Sequence, residues 1–233
     1  MFNLKAKFEK PVEIEQGDSF KMVLSKYGAV ALDKQENLSD LIGEERGELD
    51  LEKGILKFNE FELPVQIIGF FTEELNQWSW AWDSDDIFDE SLIKSARQIK
   101  AIGDEFNIPQ LTTPIFETDL DTCHNLAMVT TGVLDLDAYY AVPEDGLAIF
   151  VALSSDLIED HNSPEKFRVN FAIFQKNFNV FPKVAFEAYT KLKGYIYKPH
   201  DDFAVAKIGE SRVIVGFTER GNVTHIQLLL EED

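Results

Sequence analysis

The sequence predicts an α+β fold in which helices pack on one face of antiparallel sheet, either several sheets or one continuous sheet. Three observations carry the prediction. Apolar residues recur at helical spacing in several segments and at strand spacing in others. The short apolar runs are joined by Gly-containing turns, which pair strands antiparallel. No strand–helix–strand alternation argues for a parallel sheet. At 233 residues, 45% hydrophobic and with 19 Phe, the chain has material for a core without disulfide or metal.

The elements follow in order. After an extended segment over residues 5–14, Gly17-Asp18-Ser19 offers an N-cap. Phe20, Leu24, Tyr27 and Ala31 then mark a helix to about Gln35, with a further turn over 38–42 ending at Gly43. Residues 47–51 and 55–58 read as a hairpin around Glu52-Lys53-Gly54, residues 63–71 as an apolar strand and residues 77–82 as a fourth strand. Asp89 or Ser91 can cap a second helix lined by Leu92, Ala96, Ile99 and Ile102 or Phe106, and Pro109 ends it. A short helix over 121–131 stops at Gly132, and strands over 138–142 and 147–153 flank the turn Pro143-Glu144-Asp145-Gly146.

Residues 154–164 are polar and read as a linker. Ser163-Pro164 then starts a helix, N-cap followed by N1. Two helices, over 164–177 and 182–193, precede a three-strand meander over 203–208, 212–218 and 223–230. The expected division is an acidic domain over 1–155 and a second α+β region over 164–233, separate or part of the same domain.

Charge is uneven. The net charge is −20, and residues 1–163 hold 33 of the 42 acids but only 12 bases. Residues 164–233 hold nine acids and ten bases. Residues 101–163 contain twelve acids and no Lys or Arg. Such a surface repels nucleic acid and anionic membranes and attracts a basic protein, while also keeping a chain soluble. Asp119, Asp121, Asp156, Glu159 and Asp160 are the candidate contacts. The single cysteine, Cys123, precludes an internal disulfide. With no apolar run resembling a signal peptide or a membrane span, the expected location is the cytoplasm.

Trp78, Trp80 and Trp82 share a face if residues 77–82 are a strand, so they form either a ligand platform or the filling of a core. The acids that follow, Asp83, Asp85, Asp86, Asp89 and Glu90, lack the glycine and terminal glutamate of a calcium loop and suit a helix N-terminus instead. Adjacent Cys123 and His124 point about 100° apart on a helix and form no nucleophile–base pair with each other. His200-Asp201-Asp202 reads as a turn. Phosphate-loop, dinucleotide, zinc-protease and nucleophile-elbow motifs are absent from the sequence, and no cofactor or metal is expected.

The run Trp78-Ser79-Trp80-Ala81-Trp82, followed by Leu111-Thr112-Thr113-Pro114, resembles a bacterial family of unknown function over about residues 20–153. Asp83-Ser84 stands where that pattern has Ala-Asn. The resemblance implies no activity. The expected role is therefore binding rather than catalysis, with an acidic surface meeting a basic partner, as immunity proteins and antitoxins do by charge. A small-ligand binder with an aromatic pocket and a hydrolase or transferase without a recognisable motif are the alternatives.

Overall fold

A computed structural model describes residues 11–84 and 87–231. It is α+β, with two antiparallel sheets rather than one continuous sheet. The chain opens with α1 (Phe20–Ile42), capped by Ser19, whose Oγ accepts from the Met22 N–H, and closed at Gly43 with φ 57°. Next come β1 (Glu48–Asp50), β2 (Ile55–Lys57), β3 (Glu62–Thr72) and β4 (Gln77–Trp80). Two 3₁₀ turns (Ala81–Asp83 and Glu90–Leu92) lead to α2 (Lys94–Phe106), α3 (Pro109–Thr112) and β5 (Ile115–Glu117). Then α4 (Leu120–Val133) precedes the hairpin of β6 (Ala138–Glu144) and β7 (Leu147–Leu153).

The first sheet runs β1-β2-β3-β4-β5, and β3 also pairs with β7, which carries β6. Long β3 serves all three neighbours: Glu62 to Pro64 face β2, Gly69 to Thr72 face β4, and Val65 to Thr72 face β7. Helices α2 and α4 lie against this sheet, and α1 packs on α4 and β6.

The remainder is α5 (Pro164–Asn177), α6 (Pro182–Leu192), β8 (Ile196–Pro199), β9 (Phe203–Ile208), β10 (Ser211–Phe217) and β11 (Val223–Leu229). The four strands form a second sheet in the order β11-β10-β9-β8, one strand more than the expected meander. Phe167, Phe171, Phe174, Phe186 and Tyr189 are fully buried in this half.

Helix α1 is longer than its apolar stripe suggests because it is covered on two sides. Tyr27 and its neighbours face α4, while α5 and α6 cover the other side. There Ser25 Oγ accepts from the Phe181 N–H at 2.8 Å, and a Cβ on Gly28 would come within 2.5 Å of the Phe174 ring. Burial on both sides holds the helix through Asp33, Asn37 and Leu38, where a one-faced pattern ends. Gly132 likewise lies inside α4 instead of stopping it: its missing Cβ leaves room for the Tyr27 carbonyl, which a methyl would meet at 2.6 Å.

Candidate functional site

The tryptophans are core. Trp78 and Trp80 are fully buried and Trp82 is 8% exposed. Only Trp78 and Trp80 belong to the strand; Trp82 sits on the following 3₁₀ turn, stacked 6.5 Å from Trp80. The Trp80 Nε1–H donates to the Gln110 carbonyl at 3.0 Å. Gly69, on the paired strand, gives the Trp78 indole its space, since a Cβ there would lie 2.4 Å from the ring. These indoles therefore offer no surface platform.

The acidic run behind them divides. Asp89 accepts from the Ser91 N–H at 2.8 Å and caps the second 3₁₀ turn rather than α2 itself, and Glu90 pairs with Arg97 at 3.0 Å. Asp85 and Asp86 lie outside the described residues. Cys123 is buried, and burial with the nearby Asp119 charge pushes its thiol up to about 12. His124 Nδ1 lies 3.0 Å from the Tyr139 hydroxyl, and burial holds the imidazole below its usual range despite the opposing charge of Asp121. Neither arrangement activates a nucleophile. His200 precedes a bend at Asp201-Asp202 and stacks on Phe203 at 4.2 Å. Among the described residues, no group of three or more His, Cys, Asp or Glu could hold a metal ion, and no helix is long and apolar enough to cross a membrane.

The most buried charge is one the sequence reading did not single out. Asp33, on α1, is 1% exposed. Its carboxylate meets Lys166 at 3.1 Å and Lys193 at 2.6 Å, and accepts from Asn170 Nδ2 at 3.1 Å. Asn170 also donates to Glu36 at 2.8 Å, and Lys166 donates to Asn37. Lys193 reaches Asp160 at 2.8 Å. Burial alone would lower the Lys193 pKa, but its bonds to Asp160 and Asp33 prevail and raise it. Burial likewise opposes ionisation of Asp160, and bonds from Lys193 and Asn162 outweigh it, holding that carboxyl below its usual range. Asp33 lies off the stripe of Phe20, Leu24, Tyr27 and Ala31 and opens the polar run Asp33-Lys34-Gln35-Glu36-Asn37, so the sequence carries no signal of its burial; its partners lie more than 130 residues away.

Beside this network is a cavity of about 350 Å³, bordered by Tyr27, Val30, Lys34, Asp137, Ile158 and Lys193 among others. Several of its polar groups already have partners within the chain. Lys34 donates to Asp135 and the Leu136 carbonyl at 2.8 and 2.7 Å, Asp137 accepts from Ser154 and Ser155, and the Tyr27 hydroxyl donates to the Val12 carbonyl at 2.8 Å.

The five candidate acids fall at opposite ends of the β6–β7 hairpin. Asp156, Glu159 and Asp160 follow β7 beside Asp135 and Asp137, where Lys34 and Lys193 approach. Asp119 and Asp121 sit at the start of α4, the other end. Asp119 caps that helix, its carboxylate held below the usual range by hydrogen bonds from Thr122. Three turns meet there. The Glu73 N–H donates to the Gly146 carbonyl at 3.0 Å and the Thr118 N–H to the Asn76 carbonyl at 2.7 Å. They gather Glu73 and Glu74, Glu117 with Asp119 and Asp121, and Glu144 and Asp145, all exposed. Among the described residues none of these seven carboxylates forms an ion pair with Lys, Arg or His. Leu75, 59% exposed, and Leu120, 43% exposed, lie on the same turns.

No curated protein and no solved structure matches the chain. A sequence model described as "Family of unknown function (DUF6882)" matches residues 21–156. That is more than half of the chain, from the first turn of α1 to just past β7, and takes in the whole first sheet and the carboxylate-rich end. The chain belongs to this family of unknown function.

Proposed function

We infer that the protein works by binding a basic protein at the carboxylate-rich end of its first sheet. The observation behind this reading is the set of seven exposed carboxylates, without ion-paired countercharge among the described residues, around exposed Leu75 and Leu120. Like charges held close on rigid turns repel one another, and a basic surface brought over them relieves that repulsion while steering the encounter. The leucines add apolar contact at the centre of such a face. At the other end, Lys34 and Lys193 already compensate Asp135 and Asp160, so Asp156, Glu159 and Asp160 are secondary contacts.

The test is capture of basic proteins from the native host at low and high salt. It compares the wild type with a variant in which Glu73, Glu74, Glu117, Asp119, Asp121, Glu144 and Asp145 become amides. Asn caps a helix as well as Asp does, so the Asp119 change spares α4. The expected result is retention by the wild type at low salt, loss as the Debye length shrinks from about 10 Å at 0.1 M to about 3 Å at 1 M, and loss in the amide variant. Equal retention by both proteins refutes the reading.

A further inference from the structure

An antiparallel sheet ends in strands whose outward N–H and C=O groups lack partners, and proteins blunt such edges with charge, proline, short length or a covering side chain. Among the described residues, four of the five terminal strands are blunted. β1 has three residues, with Glu48 and Asp50 at its ends. β5 has three residues, follows Pro114 and ends in Glu117. On β6 the Gln35 side-chain amide takes the place of a neighbouring strand: it donates to the Tyr139 carbonyl at 2.9 Å and accepts from the Tyr139 N–H at 2.8 Å. β8 carries Lys198 and Pro199.

β11 has none of these devices. From Val223 to Leu230 it contains no Asp, Glu, Lys, Arg, Pro or Gly. A bulge at Thr224 bends only its beginning, and His225 to Leu229 pair regularly with Gly216 to Arg212 of β10. Ile226 and Leu228 stand opposite buried Val215 and Val213, on the face that α5 covers, while His225, Gln227 and Leu229 lie on the other face. Leu229 is 41% exposed and Leu230 65%. Among the described residues no strand pairs with the outer edge of β11.

We propose that two copies of the chain associate by pairing β11 with β11 antiparallel across a two-fold axis, joining two four-stranded sheets into one of eight strands. A two-fold brings the same strand against itself, which an uncharged edge permits and a charged one opposes. Overall charge selects this place. Two chains of −20 repel each other, but residues 164–233 hold ten bases against nine acids. The seam therefore falls in the one charge-balanced part of the molecule. The carboxylate-rich end lies on the other sheet. Each copy contributes one strand to the seam, so the dimer depends on concentration.

Size-exclusion chromatography with light scattering over a concentration series is the test. The wild type is expected to move from monomer to dimer as concentration rises. Gln227→Glu with Leu229→Glu puts two carboxylates on each of the edges brought together at the seam and raises the dissociation constant at least about tenfold. Within one chain Glu at position 229 faces Arg212, so the monomer keeps its fold, which circular dichroism checks. The control Ile87→Glu with Leu157→Glu adds the same charge at exposed positions elsewhere and leaves the dimer intact. Hydrogen exchange on the wild type alone gives a second reading: amides of residues 223–230 become protected as concentration rises. A chain that stays monomeric throughout, including one whose edge takes a strand from a different protein, overturns the proposal. So does a dimer indifferent to the edge variant, or exchange at residues 223–230 that does not change with concentration.

Discussion

Asp33→Ala removes the centre of the buried network and leaves two lysines without their shared partner. The side chains of Lys166 and Lys193 are only 12% and 7% exposed. Deleting one member of a buried ion pair costs about 3–5 kcal/mol, because the remaining charge is stranded away from water. Here Lys193 keeps Asp160 at 2.8 Å and Lys166 keeps Glu36 at 3.9 Å, which puts the expected loss near the lower figure, about 3 kcal/mol. In a chain of this length each kcal/mol moves the melting temperature by about 2–4 °C, so calorimetry should show a fall of about 6–12 °C. Removing the charges together, as Asp33→Leu with Lys166→Met and Lys193→Met, should recover most of that loss, since apolar replacement of a buried ionic cluster is neutral or stabilising. A single-variant cost below about 1 kcal/mol, the range of exposed pairs, would refute the reasoning, and so would a triple variant less stable than the single one.

The same network predicts a pH window. The raised Lys193 pKa stabilises the fold fully below about pH 10.4, the unfolded value, and that stabilisation disappears as pH rises through the folded pKa. For Asp160 the sign is opposite: its contribution is present above about pH 3.9 and lost as pH falls through its lowered folded value. Melting curves of Lys193→Met against pH should flatten the alkaline limb relative to the wild type, and an unchanged limb would contradict the assignment. Trp80→Ala should cost about 3–5 kcal/mol, and iodide should quench native tryptophan fluorescence weakly; strong quenching would mean the indoles are accessible. Cys123, buried and with its thiol at about 12, should react with a maleimide only after denaturant unfolds the chain, a rate that mass spectrometry follows directly.

The α+β class and most elements were legible because local chemistry decides them. Ser19 and Ser163 cap the helices they precede, and Gly54, Gly146 and Gly209 adopt the positive φ their turns require. The failures are tertiary. β8 and β5 are too short for a periodic signal, with four and three residues, and exist because a neighbouring strand offers them a ladder. Pro109, expected to end a helix, starts α3 after Asn107 has closed α2 in the left-handed region. Gly132 reads locally as a stop, but a close approach between α1 and α4 is what demands it. For the candidate acids, grouping along the sequence misleads about grouping in space. The acids of 101–163 form one run in the chain, but the β6–β7 hairpin sends them to opposite ends. Glu73 and Glu74, far from that run in sequence, join Asp119 and Asp121 through the turns.

The position of the countercharges explains why one end of the first sheet remains negative. The family match ends at residue 156, and among the described residues the side chains that neutralise or hydrogen-bond the Asp33 carboxylate, namely Lys166, Asn170 and Lys193, lie beyond it. The charge-balanced C-terminal part thus spends two lysines on the face of α1 that it covers, and Lys193 extends this to Asp160. Lys34, on the same helix, deals with Asp135. All of that compensation is gathered around the C-terminal half of α1 and the segment after β7. Strands β6 and β7, each of seven residues at about 3.3 Å per residue, separate it by about 20 Å from the turn at Glu144 and Asp145. Over two Debye lengths at physiological salt, lysines at one end do little for carboxylates at the other. Glu73, Glu74, Glu117, Asp119, Asp121, Glu144 and Asp145, where the turns of β3–β4, β5–α4 and β6–β7 converge, therefore keep their charge out of reach of those lysines.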